Sequence, residues 1–223
     1  MIDWKRGGGR SRESALSRSD WVCLNVLQKM RCVAENEITE WLDERSIPRD
    51  PYHRGSSHKY YLQFYAPSDH PKTDAFVRRY YERITPDSET LIHVTDWAAY
   101  EKSDMITVLG IRSSRGEDRI LIDAPGHILP APEEEIGVSL FGLLTSFGWS
   151  SYLYSATSDT TLLNWEGEIF DFWTNFEQDF DEMKLMLKQF NLAQTSNGEQ
   201  GVVSNGEQRG WFASLWTSFR RRG

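Results

Sequence analysis

Cysteine is scarce in this chain: 223 residues contain two, Cys23 and Cys32. Their surroundings read as helical, and a rise of about 1.5 Å per residue sets them about 13 Å apart, beyond the reach of a disulfide. That excludes a disulfide scaffold, and the lack of a second cysteine pair excludes a zinc framework. Long apolar runs are also missing. None approaches the roughly 18 residues of a membrane-spanning helix, and no apolar stretch follows the charged N-terminus as a secretory signal would require. These absences predict a protein of the reducing cytoplasm without a transmembrane segment. Gly7-Gly8-Gly9 has no strand before it and no Lys-Ser/Thr after it, so it is no phosphate cradle. There is no nucleophile elbow, HExxH or CxxC pair, and the acids near residue 170 lack the spacing of a calcium loop. No cofactor is expected.

Positive charge is absent from one long stretch. From Ile120 to Met183, 64 residues, there is no lysine or arginine, while twelve acids occur: Asp123, Glu133, Glu134, Glu135, Asp159, Glu166, Glu168, Asp171, Glu177, Asp179, Asp181 and Glu182. The net charge of −8 is therefore segregated, since residues 1–19 and 211–223 each carry +3 and leave −14 on residues 20–210. Solubility accounts for part of this excess, and acids at 177–182 also suit the positive end of a helix. Neighbouring elements ordinarily set opposite charges together, because like charges facing one another destabilise. A region that omits the compensation is suited to a cationic partner.

What is present in abundance is apolar and aromatic: 39% hydrophobic residues and 13% aromatic, including nine tryptophans, enough for a sizeable core. Residues 1–18 read as a basic flexible arm. Ser19 or Asp20 can cap a helix bearing Val22, Val26, Leu27, Met30 and Val33, and helical spacing resumes at Ile38, Trp41 and Leu42. KYYLQFYAP (59–67) reads as a strand, and Pro71 opens a helix with Phe76, Tyr80 and Ile84 on one face. Three strand-like runs follow, 90–97, 105–112 and 119–125, the last two joined as a hairpin across Ser113–Gly116. Glu133–Glu135 begin a helix over 136–148, strands follow at 151–157 and 168–174, and a helix spans 176–190. The order predicts an α+β fold with a mostly antiparallel sheet and packing helices. One globular domain is expected over 19–192, then a flexible linker over 193–209, with flexible tails at both ends. In the linker Ser196-Asn197-Gly198-Glu199-Gln200 recurs as Ser204-Asn205-Gly206-Glu207-Gln208.

An aromatic and basic tail, 210–223, closes the chain, with Trp211, Phe212, Leu215, Trp216 and Phe219 at helical spacing before Arg220, Arg221 and Arg222. It suits a groove on another protein, an anionic membrane surface, or a return onto the acidic face of its own domain.

Together these features predict a non-catalytic protein-binding module of inhibitor or immunity type. Its acidic face would be Asp159, Glu166, Glu168, Asp171, Glu177, Asp179, Asp181 and Glu182, covering a basic surface of a partner, and the tail would supply a second contact. Direct nucleic-acid binding is not expected, because an acidic domain repels phosphate. An adaptor acting through its tail is one alternative. Another is a metal-assisted hydrolase using His93, Asp96, Asp123 and His127 from adjacent strand ends. Its weakness is that His93 and Asp96, three residues apart, point to opposite faces of a regular strand.

Overall fold

Side-chain alternation along the strands divides the apolar residues between two faces of one sheet. The computed structural model describes residues 29–51, 58–97 and 101–201. Within them eight strands form a sheet: β1 (Arg31–Val33), β2 (Tyr60–Tyr65), β3 (Thr90–Asp96), β4 (Gly126–Leu129), β5 (Ser150–Ser155), β6 (Thr160–Trp165), β7 (Ile169–Thr174) and β8 (Gln194–Gly201). Their order is β1-β4-β3-β5-β6-β7-β2-β8, and every pair is antiparallel. Five helices accompany them: α1 (Glu35–Glu44), α2 (His70–Arg83), α3 (Lys102–Ser114), α4 (Glu134–Ser146) and α5 (Glu177–Phe190). This is the α+β, antiparallel architecture that the sequence predicts.

The two faces are covered unequally. Leu62, Phe64, Ile92, Leu153, Leu162, Phe170 and Phe172 share the larger core with α2, α4 and α5. Phe76 of α2 sits at its centre, fully buried, with its ring centroid 5.7 Å from both Phe64 and Phe170 and 5.6 Å from Phe190. On the opposite face Leu91, Ile128, Tyr152, Tyr154, Leu163 and Trp173 form a smaller core with Ile38, Trp41 and Leu42 of α1. One three-turn helix does not span a sheet of this width, and a cleft lies beside it on that face.

Local chemistry explains most of the boundaries. Asp69 caps α2 by accepting a hydrogen bond from Lys72 N–H at 2.9 Å, with Pro71 in the first turn, where its missing N–H costs nothing. Six sequence expectations are corrected. The predicted helix over 22–33 does not extend to its end, since Arg31–Val33 is β1 and Cys32 lies in a strand; Cys23 lies outside the described residues. MITVLGIR, read as a strand from its β-branched residues, lies in α3, where Val108 and Arg112 are buried one turn apart. The Asp104 carboxylate accepts the Glu101 N–H at 3.0 Å at its start. The supposed hairpin turn is its C-terminal stop, where Gly116 takes φ +87°, a conformation glycine adopts without Cβ strain. The run 119–125 is a turn leading into β4. β6, which falls between the strands expected at 151–157 and 168–174, is a central strand buried along almost all its length, so it lacks the alternation that marks a half-buried one. Finally, the first half of the predicted linker is β8, paired with β2 beyond the expected end at residue 192. Its polar composition is what an edge strand tolerates.

Candidate functional site

A cleft of about 390 Å³ opens beside α1 on the same sheet face. β3 contributes His93, Thr95 and Asp96; β5 contributes Ser150, Tyr152 and Tyr154; β6 contributes Leu163 and Trp165. Glu35, at the start of α1, and Arg49 and Asp50, in the turn after it, complete the wall. Strand register sets the floor: His93 pairs with Tyr152, Tyr152 with Leu163, Leu163 with Asp171, and Asp171 with Gln63. One row of side chains therefore crosses β3, β5, β6, β7 and β2 on the cleft side.

The polar groups of the cleft are tied together. His93 Nε2 lies 3.1 Å from Glu35 Oε1, and the Arg49 guanidinium bonds Glu35 Oε2 while donating to Thr39 Oγ1 at 2.8 Å. The hydrogen bond to His93 holds the Glu35 carboxyl below its ordinary range; burial opposes this and Arg49 assists it. The Tyr152 hydroxyl donates to Asp50, whose backbone adopts the left-handed region at φ +53°, which aspartate tolerates better than most residues. Tyr152 and Tyr154 stack with centroids 5.4 Å apart, and burial pushes both phenols above the usual tyrosine range.

Asp171 is the buried end of this row. Its side chain was expected on the exposed face of its strand, as part of an acidic surface. It is fully buried instead, because Ile169, Asp171 and Trp173 point to the α1 side of the sheet, which is covered here. Tyr61 OH donates to Oδ1 at 2.5 Å and Gln63 Nε2 to the same oxygen at 2.9 Å. Burial pushes its carboxyl up to about 6, although Tyr61, Gln63 and the nearby Trp165 indole favour the charged form. The Gln63 amide oxygen in turn accepts from Thr195 Oγ1 of β8 at 2.7 Å.

The other predicted acids do not meet. Glu166 and Glu168 are exposed in the β6–β7 turn, whereas Asp159, Glu177 and Asp179 stand at the opposite end of those strands, about 20 Å away at 3.3 Å per residue. Asp159 lies against Asn175 and, at 3.6 Å, His58 Nε2; burial works to raise its carboxyl, and these two neighbours hold it below the usual range. Some of the acids meet cations: Arg83 lies 3.7 Å from Glu182, Arg115 3.1 Å from Glu133, Arg78 pairs with Glu135, and within α5 Lys184 lies 2.6 Å from Asp181. Three of the cations come from before the cation-poor stretch, and the acids of the predicted face are divided between the two ends of β6 and β7.

The four residues of the metal hypothesis separate as well. An extra residue in β3 shifts the register between Val94 and Asp96, so both His93 and Asp96 reach the cleft despite their odd spacing. His127 pairs with Ile92 and Cys32 and is buried on the opposite face, against Arg112 of α3. Asp123 is exposed in the turn before β4. No cluster of three or more metal-ligating side chains occurs among the described residues. The tail residues Trp211 to Arg222 lie outside the described residues. No helix among the described residues is long and apolar enough to cross a membrane.

Sequence reasoning missed Glu35, Arg49, Asp50, Tyr152, Tyr154 and Trp165. Only the tyrosine alternation on β5 and the lone acid inside IFDFW carried a signal, and neither specifies a cleft. No family model matches this chain, and no curated protein or solved structure matches it either.

Proposed function

We propose that the chain is a non-catalytic binding module that receives a cationic group, a lysine or arginine side chain of a protein partner, in this cleft. The observation that carries the reading is the make-up of its wall: Glu35, Asp50 and Asp96 line it beside Tyr152, Tyr154 and Trp165, and Arg49 is the one lysine or arginine lining it among the described residues. Carboxylates supply charge-assisted hydrogen bonds to a guanidinium or ammonium, and aromatic faces attract the same cation. The finer form is an inhibitor or immunity-type protein that covers a basic surface, with residues 210–223 as a second contact.

The His93–Glu35 pair gives an acid–base enzyme some support, since a carboxylate that orients a histidine is a common catalytic element. It lacks a nucleophile: among the described residues no serine, threonine or cysteine side chain hydrogen-bonds His93. Titration of the full chain with acetyl-arginine amide and acetyl-lysine amide, followed by NMR of the Trp165 indole N–H, tests the binding reading. Saturable shifts are expected, weakened tenfold or more in Asp96→Asn, with none from acetyl-glutamate amide. No shift at millimolar ligand, or an equal response to the anionic control, overturns it.

A further inference from the structure

The repeated pentapeptide has a structural consequence because its first copy is in β8. Glu199, Gln200 and Gly201 pair with Leu62, Tyr61 and Tyr60, and Gln194 pairs with Phe64. Four residues, 195–198, thus stand opposite the single residue Gln63, and three of them are Ser-Asn-Gly, apt for an irregular, bulged backbone.

We propose that the two copies are alternative edge strands: residues 202–209 can replace residues 194–201 against β2. A shift of eight residues is even, so every side chain keeps its face. The second copy also brings Ser204-Asn205-Gly206 to the same irregularity and Glu207-Gln208 to the same pairing positions. The differences oppose one another. Val202 and Val203 in place of Gln194 and Thr195, and Arg209 in place of Gly201, favour the second copy by strand preference. Thr195 Oγ1 bonds Gln63 Oε1 at 2.7 Å, a contact that Val203 cannot make, and this favours the first. The exchange also turns residues 193–200 into a short polar loop after α5, and loop-closure entropy grows only slowly with length. Its effect is on reach. Nine residues separate Gly201 from the aromatic segment that begins at Trp211, whereas Arg209 leaves it a single residue from the sheet edge. The device is independent of what the cleft binds.

Adjacent prolines test it, since one of two neighbouring N–H groups in a strand faces its partner. In the full chain, three variants are compared: Glu199→Pro with Gln200→Pro, Glu207→Pro with Gln208→Pro, and all four together. The readout is hydrogen exchange of the β2 amides on the β8 side, which include Tyr65, whose N–H donates to Ala193 O at 3.0 Å. Each pair alone is expected to leave protection within about threefold of the parent, because the other copy takes over, and the quadruple variant to lower it tenfold or more. Thr195→Val is expected to move protection from Glu199 to Glu207 by at least threefold. Loss of β2 protection from the first pair alone overturns the proposal, as does a quadruple variant that behaves like the parent. Dependence on protein concentration overturns it too, in favour of strand swapping between copies.

Discussion

His127 and Asp171 are both fully buried titratable groups, and they make opposite contributions to acid stability. Arginine has only donors, so His127 Nε2 accepts from Arg112 Nη1 at 3.0 Å and the ring is neutral, with its other nitrogen facing Ile92 O at 3.4 Å. Burial, reinforced by the Arg112 charge, pushes it down to about 3. The unfolded chain binds this proton near 6.5, so the His127 contribution is complete above that pH and is lost as pH falls toward 3. Asp171 acts in reverse. The folded protein holds its proton up to about 6, the unfolded chain only to about 3.8, so stability declines as pH rises between those values. Asp171→Asn is expected to remove that decline and to raise stability at pH 7 by about 3 kcal/mol, the equivalent of two pKa units. His127→Leu is expected to flatten the acid limb while costing about 1–3 kcal/mol at pH 7, because Arg112 loses an acceptor. Urea denaturation at intervals from pH 4 to 7 measures both.

At the scale of elements, helices with caps and paired apolar turns were legible in the sequence: α2, α4 and α5 carry acidic or Asp-capped starts and apolar residues at helical spacing. β2, β3, β5 and β7 were legible from their aromatic and β-branched residues, although all four are buried along most of their length. α3 was not, because its interior is rich in β-branched residues and only Val108 and Arg112 are buried, too few to impose a period of 3.6. The cleft was not legible either, since it depends on a register shift in β3 and on the turn after α1, and neither leaves a periodic trace. The β6–β7 turn gives a direct check of element packing. Gly167 sits at φ +73°, and a Cβ there would lie 2.2 Å from Thr145 O of α4. Gly167→Ala is expected to cost about 2 kcal/mol or more and to lower the melting temperature, with Gly116→Ala, which meets nothing within 4 Å, costing about 1 kcal/mol.

For the whole molecule, an acidic chain that captures a cationic protein should associate faster at low salt, because complementary fields steer encounter and are screened over about 10 Å at 0.1 M. The association rate with a partner recovered from the native host is expected to fall at least tenfold between 20 and 300 mM salt, measured by stopped flow. Removal of residues 210–223 is expected to raise the dissociation rate while leaving that salt dependence in place; complete loss of capture would make the tail the working part. The make-up of the cleft has an evolutionary corollary. The cleft draws on two kinds of side chain: Tyr152, Tyr154 and Leu163 belong to the smaller core, whereas Glu35, Arg49, Asp50 and Asp96 lie outside both apolar clusters. Substitutions at those four charged positions open no cavity in either core, so the charge pattern of the cleft can change at less cost to folding than its aromatic floor can.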